Sequence, residues 1–83
     1  MQNELKVLRR NLIDNVDLIL SVRGLKQVER LLLIESYCKG LRRNATDRLA
    51  NELHYSKSSI KRQRRYALEK VYIILEGALK DGS

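Results

Sequence analysis

The residues of this chain best suited to chemistry are cations, and they are concentrated in one short run. Residues 57–65 contain five cations and no acid: Lys57, Lys61, Arg62, Arg64 and Arg65. Lysine and arginine donate hydrogen bonds to phosphate oxygens and to the O6 and N7 atoms of guanine. A helix face that only meets solvent usually includes glutamate, which pairs with a cation one turn away. The run therefore favours a nucleic-acid contact, with a solvated cationic face as the alternative.

The residues around this run predict how it is positioned. Residues 49–65 are typical of a helix, a turn at His54–Ser56 and a second helix with Ser56 as its N-cap. Ile60 is expected to face inward and to hold the two helices together. Tyr55 is expected to pack between them with its hydroxyl in water. The outer arc of the second helix then holds Lys57, Ser58, Lys61, Arg62 and Arg65, with Ser59 at its edge. This order predicts a helix-turn-helix, whose second helix enters the major groove of DNA.

Two further cations lie just before the first helix of this unit. Arg42 and Arg43 precede a helix that is expected to begin at Ala45 or Thr46. A helix N-terminus with two guanidinium groups beside it forms a natural phosphate clamp. The alternative for both residues is a solvent-exposed loop.

Composition limits the remaining possibilities. The chain has 83 residues, a net charge of +7, one cysteine and one histidine, so we expect a single domain over 1–83 with anionic partners and no metal site. Cys38 lies in an apolar run and is expected to be buried. No acid pair, nucleophile–base set or glycine-rich phosphate loop is recognisable, so we expect no enzyme and no cofactor. No apolar stretch reaches membrane-spanning length, and the polar start lacks signal-peptide features, so we expect a cytoplasmic protein that has no membrane partner.

The apolar spacing predicts an all-α fold of four helices. The chain has no proline and four glycines. Helix 1 is expected to continue through Ile19 towards Gly24, and helix 2 to run from about Val28 to Cys38, packed from two sides. Helix 3 is expected to end near Leu53, and helix 4 to span Lys57 to about Leu79, so that the helix-turn-helix occupies about 45–79.

Helix 4 is longer than a small core can cover. Its later apolar residues recur every three or four positions, as in a helix–helix seam: Val71, Ile74, Leu75, Ala78 and Leu79. Tyr72 and Ile73 add apolar surface on a second side. We expect a homodimer joined through this part of helix 4 with help from helix 1. The alternative is a monomer in which helix 1 folds back and covers the strip.

Residues 48–71 carry a family resemblance. The segments Arg48-Leu49-Ala50-Asn51-Glu52-Leu53, Tyr55-Ser56-Lys57-Ser58-Ser59-Ile60-Lys61-Arg62 and Ala67-Leu68-Glu69-Lys70-Val71 resemble region 4 of sigma-70-type factors. They resemble still more the ArpU/RinA-like phage transcriptional regulators built on that domain. Two positions depart from the family pattern: His54 stands where glycine is frequent, and Gln63 where an apolar residue is frequent.

The resemblance implies a sigma region 4-like DNA-binding domain with a long C-terminal recognition helix. It implies base contacts from Lys57, Ser58 and Arg62, phosphate contacts from Ser59 and Lys61, and control of phage genes. Small terminase subunits contain a similar helix-turn-helix, so a DNA-packaging module is a second hypothesis. A region 4 mimic that docks on RNA polymerase is a third.

Overall fold

Five α-helices contain most of the residues that the computed structural model describes, which are 2–39 and 45–81, with side chains described for 3–39 and 45–77. The helices are α1 (Gln2–Leu12), α2 (Val16–Ser21), α3 (Gln27–Leu33), α4 (Ala45–Leu53) and α5 (Lys57–Asp81), and a π-helical turn (Ile34–Cys38) extends α3. The described ranges contain no strand, which confirms the all-α prediction. Even the 25-residue α5 lacks an apolar stretch long enough for a membrane crossing.

The predicted single first helix is wrong, because the chain breaks between α1 and α2. Asp14 has a φ of +57°, a left-handed conformation that aspartate tolerates better than most residues. The Asn15 side chain donates to the carbonyl oxygen of Asn11 at 3.3 Å, which binds an acceptor at the end of α1. The apolar spacing continues across the break, since Leu12 and Ile19 pack in the same core. The described part of the chain thus has five α-helices where four were expected.

The turn after α2 depends on a glycine and on a half-buried arginine. Gly24 has a φ of +93°, which L side chains rarely adopt. Arg30, on α3, donates through Nη1 to the carbonyl oxygen of Ile19 at 2.6 Å. This bond gives a partner to a carbonyl group in the last turn of α2. A positive group at a helix C-terminus is also favourable to the helix dipole.

The π-helical turn holds the break between α1 and α2 in place. The N–H of Asp14 donates to the carbonyl oxygen of Cys38 at 2.8 Å, and the Cys38 thiol lies 3.8 Å from the carbonyl oxygen of Asn15. Cys38 is buried, as predicted, and burial raises the pKa of its thiol. Cys38 is therefore a protonated packing residue at neutral pH.

The buried side chains form two clusters, and α3 lies between them. The large core joins α1, α2, α3, the π-helical turn and the middle of α5; its members include Leu8, Leu12, Ile19, Leu33, Cys38, Leu68 and Val71. The small core joins α3, α4 and the start of α5 through Leu32, Leu49, Ala50 and Ile60. The prediction that the second helix packs from two sides is confirmed, because Leu32 and Leu33, which are consecutive residues of α3, enter different cores.

An ion pair reinforces the packing of α3 on α5. Glu29 Oε1 lies 2.9 Å from Lys70 Nζ and also accepts the backbone N–H of Lys26 at 2.7 Å. Burial raises the pKa of this carboxyl, but the Lys26 N–H and the Lys70 ammonium outweigh that effect and lower it overall. Glu29 is thus ionised at neutral pH, where it caps α3 and contacts α5.

Ile60→Ala tests the small core. Ile60 is 0% exposed, so its truncation should lower the free energy of unfolding by about 2–5 kcal/mol. Ile13→Ala is the matched control, because Ile13 is 54% exposed and its loss should change stability by less than about 0.5 kcal/mol. Urea denaturation measures both. Equal losses in the two variants would contradict this assignment of the core.

Candidate nucleic-acid interface

The turn between α4 and α5 is built on a left-handed histidine. His54 has a φ of +61°, and the N–H of Tyr55 donates to the carbonyl oxygen of Ala50 at 3.0 Å. A hydrogen bond to the carbonyl five residues earlier, made just after a left-handed residue, is the Schellman motif at the C-terminus of a helix. Glycine is usual at the left-handed position of this motif. Histidine thus occupies a position at which a residue without Cβ would be less strained.

Ser56 begins α5 as predicted. Its Oγ accepts the N–H of Ser59 at 3.1 Å, and its carbonyl oxygen accepts the N–H of Ile60 at 3.0 Å. Both bonds give a partner to an N–H group of the first turn, and so they fix where the cationic helix starts. The Tyr55 side chain is 40% exposed and is not among the residues of the small core. Leu53 is half-buried and packs against that core.

The outer arc predicted for α5 is exposed over its first three turns. Its members Lys57, Ser58, Lys61, Arg62 and Arg65 are all exposed, and Ser59 at its edge is half-buried. The small core holds the opposite side of the helix through Ile60. The structure therefore brings these six predicted residues together on one surface of α5, which we call the α5 face.

Two cations of the α5 face are in weak ion pairs and two are in none. Lys57 Nζ lies 3.1 Å from Asp47 Oδ1, and Arg65 Nε lies 3.4 Å from Glu69 Oε1. Exposed pairs of this kind contribute little to stability, so both cations are readily released to another anion. Lys61 and Arg62 form no ion pair with any residue that the structure describes.

The remaining polar residues of this run stabilise α5. Arg64 Nη1 donates to Thr46 Oγ1 at 2.9 Å and so links α5 to the first turn of α4. Gln63 is half-buried, and its Nε2 donates to Ser59 Oγ at 3.2 Å. Gln63 and Arg64 thus have structural contacts. Arg42 and Arg43, the predicted phosphate clamp, lie outside the described residues.

A second group of cations, which sequence reasoning missed, faces the start of α5 across a cleft. The cleft has a volume of about 270 Å³ and lies between α1 and α5. Its polar lining consists of Lys6, Arg9, Tyr37, Lys61, Arg64 and Arg65. The three- and four-residue spacing of Lys6, Arg9 and Arg10 was a signal that these cations share a side of α1. Nothing in that spacing showed that this side would meet α5.

Tyr37 supplies the neutral polar group of this cleft. The residue is buried in the large core, yet it lines the cleft. Burial raises the pKa of its phenol, and the positive charges of Arg64 and Arg9 oppose that rise. The hydroxyl is protonated at neutral pH and is a potential hydrogen-bond donor.

Comparison of the chain with protein-family models, with curated proteins and with solved structures finds no match.

Substitution of His54 tests the strained turn. His54→Gly should raise the free energy of unfolding by up to about 1 kcal/mol, because relief of the left-handed strain exceeds the extra chain entropy of glycine. His54→Val should lower it by about 1–3 kcal/mol, because a β-branched residue resists positive φ most. Urea denaturation of both variants is the measurement. A loss of stability in the glycine variant would contradict the turn geometry.

Proposed function

We propose that this chain is a DNA-binding protein of the helix-turn-helix type, in which α4 braces the unit and the start of α5 enters the major groove. The observation that carries the proposal is the α5 face, a mostly exposed surface that has no acid among its six residues and begins at a capped helix start. Lys61 and Arg62 lie on it without an ion pair to any described residue. A capped helix start held by a small core is the support that a groove-binding helix requires.

Each residue of the α5 face has a proposed contact. Lys57, Ser58 and Arg62 read base edges, because side chains near the start of a recognition helix reach deepest into the groove. Ser59 and Lys61 contact phosphates and set the register, and Arg65 extends the same surface by one turn. On binding DNA, Lys57 would leave its exposed ion pair with Asp47 and form a contact with the duplex instead. Arg42 and Arg43 remain predicted phosphate contacts.

The biological role that we propose is transcription regulation. The resemblance of residues 48–71 to ArpU/RinA-like regulators and to sigma region 4 supports this role and a phage or mobile-element origin. The same helix-turn-helix would also serve a DNA-packaging module. Sequence preference separates the two roles, since a regulator must select an operator among many competing sites.

A second copy of this chain is the protein partner that we propose. Tyr66 and Ile73 are 59% and 61% exposed, and they lie two turns apart on one side of α5. Val71 is buried in the large core, while Ile74 and Leu75 pack on that core. The predicted seam through Val71, Ile74 and Leu75 is therefore occupied within the chain, and we propose the Tyr66–Ile73 side as the seam instead. The side chains of Ala78 and Leu79, also predicted for the seam, lie outside the described residues. Two linked copies would read paired half-sites and so add specificity.

Arg62→Ala and Lys61→Ala test the two kinds of contact on neighbouring residues of one helix. Sites selected from a random DNA pool give the preferred duplex. On it, Arg62→Ala should weaken binding by about 1–3 kcal/mol and relax base choice at one position. Lys61→Ala should weaken binding to all sequences alike and reduce the salt slope by about one.

Fluorescence anisotropy on the selected and a random duplex, over a salt series, measures both effects. Equal losses on the two duplexes for Arg62→Ala would reject its role in base reading. No binding to either duplex by the unmodified chain at low salt would reject the proposed function and favour a protein-docking module.

Ile73→Asp tests the dimer. The unmodified chain should sediment at twice its mass of 9.7 kDa, and the variant at the mass of a folded monomer with weaker DNA binding. Ile73 is exposed in the monomer, so the change should leave the fold intact. A monomeric mass for the unmodified chain well above micromolar concentration would overturn the dimer, and a ring of many copies would favour the packaging role.

A further inference from the structure

Among the residues that the structure describes, five cations and no carboxylate line the cleft between α1 and α5. The cations are Lys6, Arg9, Lys61, Arg64 and Arg65. Arg65 alone among them forms an ion pair within the described residues, with Glu69, whose oxygen lies 3.4 Å away. Like charges that share a cleft repel one another more strongly there than in bulk water, because the protein lowers the local dielectric constant. An anion in the cleft would remove this repulsion.

The size and the donors of the cleft favour a phosphate group. A water molecule takes about 30 Å³ of liquid, so a cleft of about 270 Å³ has room for a phosphate and several waters. Arginine forks match phosphate oxygens in pairs, and lysine adds a point charge. The protonated hydroxyl of Tyr37 lines the same space and adds a neutral donor.

The cleft is also continuous with the α5 face. Lys61 and Arg65 belong to both, since each is exposed on α5 and each lines the cleft. A helix in the major groove is flanked by the phosphates of the two strands, so a cationic cleft beside such a helix is placed to meet one of them. A second basic cleft, of about 500 Å³, extends this surface along α1 through Arg10.

We propose that the α1–α5 cleft holds a phosphate of the DNA backbone, with Lys6 and Arg9 of α1 as its additional donors. The proposal rests on the proposed function and deepens it: α1, outside the helix-turn-helix, becomes part of the DNA-binding surface. In this arrangement α1 fixes the register of α5 on the duplex and reads no base.

Lys6→Ala and Arg9→Gln test the proposal against a matched control, Arg23→Gln. Lys6 and Arg9 are exposed, so both variants should melt like the unmodified chain. Arg23 is an exposed cation beside Gly24, whose position lies near Ile74 in the later part of α5 and thus away from the cleft. Arg23→Gln removes the same charge from the chain without touching the cleft.

The measurement is duplex affinity of the full chain between about 50 and about 200 mM salt, with a random-sequence duplex. Each cleft variant should make the slope of log K against log salt shallower by about one, so that over this fourfold salt range the loss of affinity is about fourfold smaller than in the unmodified chain. Arg23→Gln should keep the original slope. Original slopes in both cleft variants, with DNA binding otherwise intact, would overturn the cleft proposal and leave the proposed function standing.

A second titration separates the sources of phosphate. Inorganic pyrophosphate is added to the ¹⁵N-labelled chain, and the amide shifts of α1 are followed by NMR. Saturable shifts that Arg9→Gln abolishes, together with unchanged DNA slopes, would assign the cleft to a free phosphorylated molecule and overturn the DNA backbone as its source. Absence of any DNA binding by the unmodified chain would overturn both proposals at once.

Discussion

The packing of α3 against α5 is the contact on which the rest of the structure depends. Leu32 and Leu33 are neighbours on α3, yet one enters the small core and the other the large core. The long helix α5 follows the same division, with Ile60 in the small core and Val71 in the large core. The small core attaches α4 to this pair of helices, and the large core attaches α1. Both groups of cations, on α5 and on α1, are therefore held in place by apolar contacts on the far sides of their helices.

The charges around α5 are arranged at a cost to local stability. The first turn of α5 contains no acid, although acids are favoured at a helix N-terminus and cations are disfavoured there. The cations of Lys6 and Arg9 add to the same field across the cleft. Such departures from local preference concentrate at functional sites, where the rest of the fold compensates for them. The serine cap and the link from Arg64 to Thr46 provide part of that compensation.

The sequence was sufficient where a feature depends on periodicity or on one residue's backbone preference. The start of α5 followed from Ser56, and the inward and outward sides followed from the 3.6-residue period that places Ile60 inside and Arg62 outside. The break between α1 and α2 was not predicted, since the apolar spacing continues through Val16 while one hydrogen bond that holds the turn is made to the distant carbonyl oxygen of Cys38. The cleft was missed for the same reason, because a contact between α1 and α5 joins residues more than fifty positions apart.

The measurement that tests the central claim most directly is an NMR titration of the ¹⁵N-labelled chain with a short DNA duplex at low salt. The claim is that the cations at the start of α5, and those of α1 beside them, form one DNA-binding surface. The amides of 57–65 and 6–10 should then shift together along one saturation curve, while those of 20–28 remain in place. Uniform small shifts over the whole chain, or shifts confined to 20–28, would contradict it.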